Sequence, residues 1–567
     1  MNIWMAQVNY KFGDNAFLPY SAGRLIAAAM ERPGQHFQGF LVFREPREEV
    51  LARLDEAPPS VLGISCYLWN WRYSLRLASW VKNRWPDCTI ILGGPQVPAE
   101  PDIAFFARNP AVDLLIHGEG EMAFRLALHN LYDYGEIGVI PGSSRPNGAL
   151  HRGKGNRLAS LDGLPSPYLE GYFNHLITLY PEINWHMSQE TNRGCPYQCS
   201  FCDWGSATFS KVREFPLDVV LDEMAWGSEK GLELLYNCDA NFGMRPRDIQ
   251  IAEHMVKLKA DTGSPAKFRA AYAKKTTPKV YEIGRLLAQA GLSKGVTLSA
   301  QSMNPETLDA VSRRPLVSEE FAQLVASYKA DGVPTYTEII LGLPGETLKS
   351  FKAGLLEVLT LGQHDGLNVY PAIVLDNSEM GNIFYRKKHG IKSMRLSMLL
   401  LHASWSEADP APEEYDLVVE TSTMTHEEWK EAMVFGWFIQ GLHCMGLTRD
   451  AAIASGNIEL FYHSTWRRIK TGKLQWLSHY ERCLHELLCA VLNGEADWNH
   501  PIDDYGDNTW PPEERLFIWC MENIDRVCEE LDIPVPDLAR PDDYENRETW
   551  AREVVWYGRK GGRRKAA

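Results

Sequence analysis

Short apolar, β-branched runs alternate with segments of helical periodicity twice along this chain, and that double alternation limits the fold more than any other feature. In the first series, residues 1–145, NIWMAQV, QGFLVF, SVLGISCYL, CTIILGG and DLLIHG read as strands. SAGRLIAAAMER, REEVLARLDE, YSLRLASWVKNRW and GEMAFRLALHNLYDYG read as the helices between them. Strands separated by helices are joined by crossovers, so the expected fold is α/β with a doubly wound parallel sheet. Such sheets bind ligands at the carboxyl ends of their strands. The glycine-bearing segments GISCYLW, LGGPQ and HGEGE fall at those ends.

Residues 146–184 turn polar and irregular, with PGSSRPNG and LPSPY, and read as a linker. The second series occupies residues 185–395. Its predicted strands are WHMSQETNRG, LELLYNCDA, KFRAAYA, GVTLSAQS, PTYTEIILGLP and GLNVYPAIVL. Six such units predict a partial (β/α)6 barrel whose functional groups lie at strand ends. Residues 396–567 carry long helical patterns, many tryptophans and no catalytic motif, and are expected to form a mainly helical C-terminal domain.

A net charge of -15 and a pI near 5.6 oppose general nucleic-acid binding, which needs an excess of Lys and Arg to displace counterions. The terminal GRKGGRRKAA is a local exception, read as a solubilising end. No run approaches the roughly 20 apolar residues of a membrane helix, and the first residues lack a secretory pattern. The expected location is cytoplasmic.

Eleven cysteines are too few for a disulfide scaffold in a chain of 567 residues. Only three cluster: Cys195, Cys199 and Cys202, in RGCPYQCSFCDWG. Soft thiolates select zinc or iron–sulfur centres. A structural zinc site wants four closed ligands, and nothing downstream supplies a matching pair. A cubane cluster held by three cysteines leaves one iron open for another ligand.

CxxxCxxC at the end of the first barrel strand, with Phe201 just before the last cysteine, resembles the signature of radical S-adenosylmethionine (SAM) enzymes. The resemblance implies a [4Fe-4S] cluster on Cys195, Cys199 and Cys202, with SAM on the open iron and a 5′-deoxyadenosyl radical after one-electron reduction. It also implies SAM contacts from Phe201, from Asp239 and Asn241 in CDANFG, from Gln301 and Ser302 in LSAQS, and from Gly342 in ILGLPGET. CDANFG departs from the Gly-Gly-Glu often found at its position.

The preceding doubly wound unit, with SCYLW, LGGP and GEGE, is similar to the Rossmann-like cobalamin-binding domains of cobalamin-dependent radical SAM enzymes. Ser65, Tyr67, Trp69, Gly93, Gly94, Gly118, Glu119 and Gly120 are its expected cofactor contacts. GQHFQG has His36 and Gly39 in register with the Asp-x-His-x-x-Gly of many cobalamin proteins, but Gly34 stands where the Asp would be. A cobalt without a protein histidine ligand is therefore implied, with Ser65, Tyr67 and Trp69 as candidates for packing against the lower face of the corrin.

These resemblances imply a methyltransferase that moves a methyl group from SAM, through cobalamin, to an unactivated carbon of a small molecule or peptide. A flavodoxin- or ferredoxin-type protein would supply electrons. Alternatives are a rearrangement, ring contraction or cyclisation with the same cofactors, and a noncatalytic metal scaffold. Tyr272, Lys274, Lys275, Tyr336, Glu338, Tyr370 and Asp376 lie near predicted strand ends and are candidate substrate contacts.

Overall fold

The first alternating series forms one six-stranded sheet, ordered His36–Phe43, Asn2–Asn9, Val61–Ser65, Thr89–Gly93, Leu114–Ile116 and Ser143–Ser144. All neighbours are parallel except the last pair. The order reverses between Asn2–Asn9 and Val61–Ser65, and a reversal of this kind opens a crevice at the strand ends. Val61–Ser65 is buried throughout, as a central strand covered on both faces must be. In the computed structural model, residues 1–29, 34–101, 103–146, 157–203, 210–274, 278–293, 295–315, 317–364, 366–398, 411–502, 505, 509–538 and 547–558 are described.

The second series supplies the six expected strands in two parallel groups. Asn184–Gln189, Leu234–Phe242 and Lys267–Tyr272 form one group; Val296–Gln301, Thr335–Leu341 and Leu367–Pro371 form the other. Helices between them cover the outside, giving a partial barrel. One strand came without warning from the sequence. Asn15–Phe17 leaves the N-terminal unit and pairs in parallel with Asn184–Gln189, setting Ala16 opposite Trp185. Three residues carry no periodicity to betray a strand.

The two units share a hydrophobic core. Ile3, Met5 and Phe124 of the first belong to the same buried cluster as Trp185, Met187 and Leu235 of the second. The opposite face of the N-terminal sheet is closed by Arg47–Asp55 and Trp71–Arg84 through Val50, Leu54 and Leu77.

After the barrel, Ile373–Val374, Lys392–Ser397 and Glu414–Glu420 form an antiparallel sheet, with Glu414–Glu420 in the middle. Of these strands only Glu414–Glu420 lies wholly beyond residue 396, and the rest of that part is mainly helical, as expected. The helices that follow include His426–Phe438, Ile458–Lys470 and Gln475–Leu492. Their Trp429, Trp437 and Trp466 are buried with barrel residues Leu341, Leu355 and Val369, so the tryptophans are core. No helix among the described residues is long and apolar enough to cross a membrane.

Candidate functional site

The cysteine loop is pinched at its base. Asn192–Arg193 pairs antiparallel with Arg213–Glu214 on its return. Gly194, at φ +118°, crosses the returning chain so tightly that a Cβ would lie 2.5 Å from the Lys211 carbonyl oxygen. Cys195 and Cys199 are buried, and Cys202 is half-buried in a turn closed by its N–H on the Cys199 carbonyl, at 3.0 Å.

Polar side chains reach two of these three sulfurs. Asn241 Nδ2 lies 3.2 Å from Cys195 Sγ and Lys274 Nζ lies 3.3 Å from Cys199 Sγ, while the Arg313 guanidinium, held by the Ser299 carbonyl, adds positive charge near Cys199. Burial pushes the Cys202 thiol up to about 11, while Lys274 pulls it down. Cationic and amide donors aimed at soft sulfur stabilise thiolate, the form that binds metal. Asn241 Oδ1 is buried without a hydrogen-bond partner. An unsatisfied buried acceptor beside the Cys195 sulfur is costly in a closed core, so this donor set fits an iron–sulfur centre with a further ligand alongside.

The expected SAM contacts divide. Asp239 is spent on the protein itself: Oδ1 accepts from the N–H groups of Thr191 (2.7 Å) and Asn192 (3.0 Å), and Oδ2 accepts from Asn192 Nδ2 (2.8 Å) and the Thr191 hydroxyl. It thereby fastens Leu234–Phe242 to the approach of the cysteine loop. Burial pushes its carboxyl up to about 7, opposed by those hydrogen bonds. Ser302 Oγ donates to Glu346 Oε2 at 2.5 Å, and Gln301 adopts φ +70°, an uncommon conformation for a residue with a side chain. Phe201 packs against the small buried cluster of Val311, Leu343 and Ala372. Gly342, at φ +94°, was expected to admit a ligand, yet a Cβ there would meet Trp429 Nε1 at 3.2 Å and Val418 at 3.4 Å. The space it leaves is filled by the C-terminal region.

Ser65, Tyr67 and Trp69 stand at the sheet reversal. Tyr67 and Trp69 stack with ring centres 4.4 Å apart and planes 11° from parallel. The Tyr67 hydroxyl bonds Ser21, Trp69 Nε1 donates to Asn9 Oδ1 at 3.3 Å, and Arg44 holds the Trp69 carbonyl at 3.2 Å. Ser65 is buried, its carbonyl accepting from Asn70 Nδ2 at 3.1 Å. An aromatic shelf braced on three sides fits the flat, apolar face of a corrin. His36 is exposed and begins the first strand of the sheet order, away from this shelf.

The glycine loops do other work. Gly93 ends the strand Thr89–Gly93; Gly94, at φ +108°, would put a Cβ 2.4 Å from the Cys66 carbonyl oxygen. Gly118 has φ +76°, and Gly120 precedes the helix Glu121–Tyr134. Glu119 was expected to touch cofactor; its carboxylate instead takes the Arg213 guanidinium (3.0 Å) and the Leu158 N–H (2.7 Å).

Glu119 thus belongs to an ionic seam between the two units that the sequence reading missed. Arg193 reaches Glu121 at 2.7 Å and Arg24 reaches Glu223 at 3.2 Å, all four groups largely buried. Gln189 Nε2 adds a hydrogen bond to Glu223 at 2.9 Å. On the other side of the crevice Asn377 clamps the LGGPQ loop, donating to the Val97 carbonyl at 2.8 Å and accepting the Ala99 N–H at 2.9 Å. Glu413 caps the helix Trp71–Arg84 by accepting the N–H groups of Arg72 (2.7 Å) and Tyr73 (3.0 Å), and pairs with Arg44 at 3.1 Å.

Of the candidate substrate contacts, Tyr272 and Lys274 line a narrow cavity with Thr297 and Ser299. Glu338 accepts the Ser299 hydroxyl at 2.9 Å, which brings it to the same wall, and burial pushes Tyr272 and neighbouring Tyr336 upward. Tyr370 is exposed, and exposed Asp376 accepts from Gln96 Nε2 at 3.3 Å. Lys275 lies outside the described residues.

The sequence profile of the Radical SAM superfamily matches residues 190–355, and that of the B12 binding domain matches residues 21–128. The cobalamin-dependent radical SAM methyltransferase TokK of Streptomyces tokunonensis is 37% identical over 451 residues, covering 77% of this chain and 65% of that protein. The 2-(S-pantetheinyl)-carbapenam-3-carboxylate methyltransferase of Streptantibioticus cattleyicolor is 37% identical over 445 residues, again 65% of its length. The match therefore spans just under two thirds of these curated relatives. Among solved structures, the cobalamin-dependent SAM radical enzyme OxsB superposes with a TM-score of 0.57 at 13% identity, over 99% of this chain and 84% of that one. The radical SAM methyltransferase TsrM of Kitasatospora setae superposes with a TM-score of 0.56 at 17% identity, over 77% and 89%. At these identities the superpositions speak for the fold.

Proposed function

Because this chain belongs to the cobalamin-dependent radical SAM enzymes, we propose that it is a methyltransferase acting on an unactivated carbon of a small molecule. The observation that carries the reading is the pairing of two prepared surfaces: three thiols faced by Asn241, Lys274 and Arg313, and the aromatic shelf of Tyr67 and Trp69 at the sheet reversal. Cys195, Cys199 and Cys202 would hold the cluster, Asn241 and Gln301 would meet SAM, and Ser65, Tyr67 and Trp69 would meet cobalamin. When bound, these groups supply one-electron cleavage of SAM and a transferable methyl group.

The chain's own residues supply position and dryness. Asp239 fixes the approach to the cysteine loop through Thr191 and Asn192. Lys274 and Arg313 hold compensating positive charge beside the thiolates. The Arg24–Glu223, Arg193–Glu121 and Arg213–Glu119 pairs, with the Asn377 clamp, hold the two units in register, so a substrate between them is kept from water. Tyr272 lines the cavity beside Lys274, and Glu338 bonds Ser299 of the same lining; these two are the substrate contacts we favour.

A small molecule is favoured over a peptide because one relative is named for a carbapenam carboxylate substrate. The reductant would be a low-potential one-electron protein, and free thiols at all eleven cysteines suit a reducing cytoplasm. The test is to supply SAM, reductant and that carbapenam carboxylate to the reconstituted chain. Methylation predicts S-adenosylhomocysteine and 5′-deoxyadenosine in comparable yield, with a product heavier by one CH2. Deoxyadenosine alone, with substrate of unchanged mass or rearranged, would overturn methyl transfer in favour of the rearrangement reading.

A further inference from the structure

The short helix Ile383–Lys388, sequence IFYRKK, turns large apolar side chains outward. Ile383 is 74% exposed and Phe384 79%, and among the described large hydrophobics only Tyr134, at 76%, is comparably exposed. Beside them Lys387 and Lys388 are exposed and make no ion pair among the described residues. Phe384 and Lys388 line an open groove in which Glu379 is the one acid. Two neighbouring apolar groups flanked by two lysines are the composition of a docking surface, whereas scattered single exposures need no explanation.

The position of this patch decides what it would dock. Between the exposed residues, Tyr385 turns inward. Its hydroxyl donates to the Ala310 carbonyl at 2.8 Å and bonds Ser200 Oγ at 2.8 Å. The Met380 N–H donates to the Ser200 carbonyl, also at 2.8 Å. Ser200 lies between Cys199 and Cys202, so the patch is built directly on the outer support of the thiol loop. The chain's net charge of -15 repels acidic proteins over most of its surface, and a patch where two lysines outnumber the one acid, Glu379, is where one lands.

We propose that Ile383, Phe384, Lys387 and Lys388 form the landing surface for an acidic one-electron carrier protein, and that Tyr385 and Ser200 link this surface to the thiol loop. The proposal rests on the iron–sulfur reading of Cys195, Cys199 and Cys202. In each encounter the carrier is oxidised by one electron and the centre on the three cysteines is reduced by one; no bond forms or breaks at the patch.

The probe is a purified bacterial flavodoxin titrated calorimetrically into the full reconstituted chain. K387E/K388E is expected to weaken binding about ten-fold, and added salt should weaken the unmodified chain more than the variant. I383S/F384S should weaken binding with little change in salt dependence. Deoxyadenosine formation driven by dithionite should match the unmodified chain in both variants, while flavodoxin-driven formation falls. Unchanged flavodoxin affinity in both variants, or equal loss with both reductants, would overturn the proposal. So would competition at this patch by an acyl carrier protein but not by flavodoxin. Absence of deoxyadenosine from the unmodified chain under dithionite would overturn the enzyme assignment instead, a failure that the binding titration tells apart from a wrong surface.

Discussion

The thiol loop and the glycine loops of the N-terminal sheet both sit at strand ends, yet they use their conspicuous residues in opposite ways. Around the thiols, polar side chains from distant strands and loops point at sulfur, and Asn241 Oδ1 is left buried without a partner. In the glycine loops, the conspicuous residues serve the protein: Gly94 lets one loop pass over the Cys66 carbonyl, and Glu119 anchors Arg213. A residue that is chemically irreplaceable announces its role in sequence. A residue that is sterically or electrostatically useful can be serving either a ligand or a neighbouring strand.

The sharpest break in that comparison is to delete the thiols. C195A/C199A/C202A should lose all cluster iron and all deoxyadenosine formation while keeping cobalt, since the Tyr67–Trp69 shelf is braced by Ser21, Asn9 and Arg44 and not by these three cysteines. Metal analysis of the same preparation reads both. Loss of cobalt together with iron would mean that the two regions are not separate sites.

Next in size is the seam between the two regions. E223A leaves the Arg24 guanidinium buried and unpaired, and breaking a buried pair this way costs about 3–5 kcal/mol. Denaturant unfolding of the unloaded chain should show the loss. A change within about 0.5 kcal/mol would mean that the seam does not hold the units together.

Asp239 sharpens the thiol side through pH. Its folded carboxyl is raised from 3.8 to about 7, so its contribution to stability is fully present below about pH 4 and is lost as pH rises toward 7. D239N should remove that slope, worth up to about 4 kcal/mol across the interval. Unfolding free energies of the two proteins between pH 4 and 8 should converge at the acid end only after allowance for a constant offset. Parallel curves would contradict the assignment.

The smallest effect tests the glycine side. G94A should destabilise the unloaded chain by about 1–3 kcal/mol, because it combines positive φ with a clash against backbone. If instead the unloaded chain keeps its stability and only cobalamin binding suffers, Gly94 serves the ligand after all.

What the sequence made legible follows the same division. The six barrel strands were readable because each runs five to nine residues with apolar periodicity and turn residues at its ends. Asn15–Phe17 was not, since its strand character comes entirely from the edge it meets. The cysteines stand out by spacing, and the fold brings Asn241 and Lys274 to two of them. The Arg24–Glu223 pair, 199 residues apart, was not, because a charge on a helix gives no hint of the partner the tertiary fold will bring. Gly342 was readable as a backbone exception but not as room for Trp429, which depends on a helix almost ninety positions later.

The central claim is that one chain holds an iron–sulfur centre and a cobalamin at two adjoining strand-end surfaces. It is tested most directly by counting iron and cobalt in full-length protein purified from cobalamin-supplied cells and reconstituted without oxygen. The account predicts about four iron, the content of one cubane cluster, together with one cobalt per chain. Iron without cobalt would contradict it, leaving a radical SAM barrel beside an N-terminal sheet that binds no corrin.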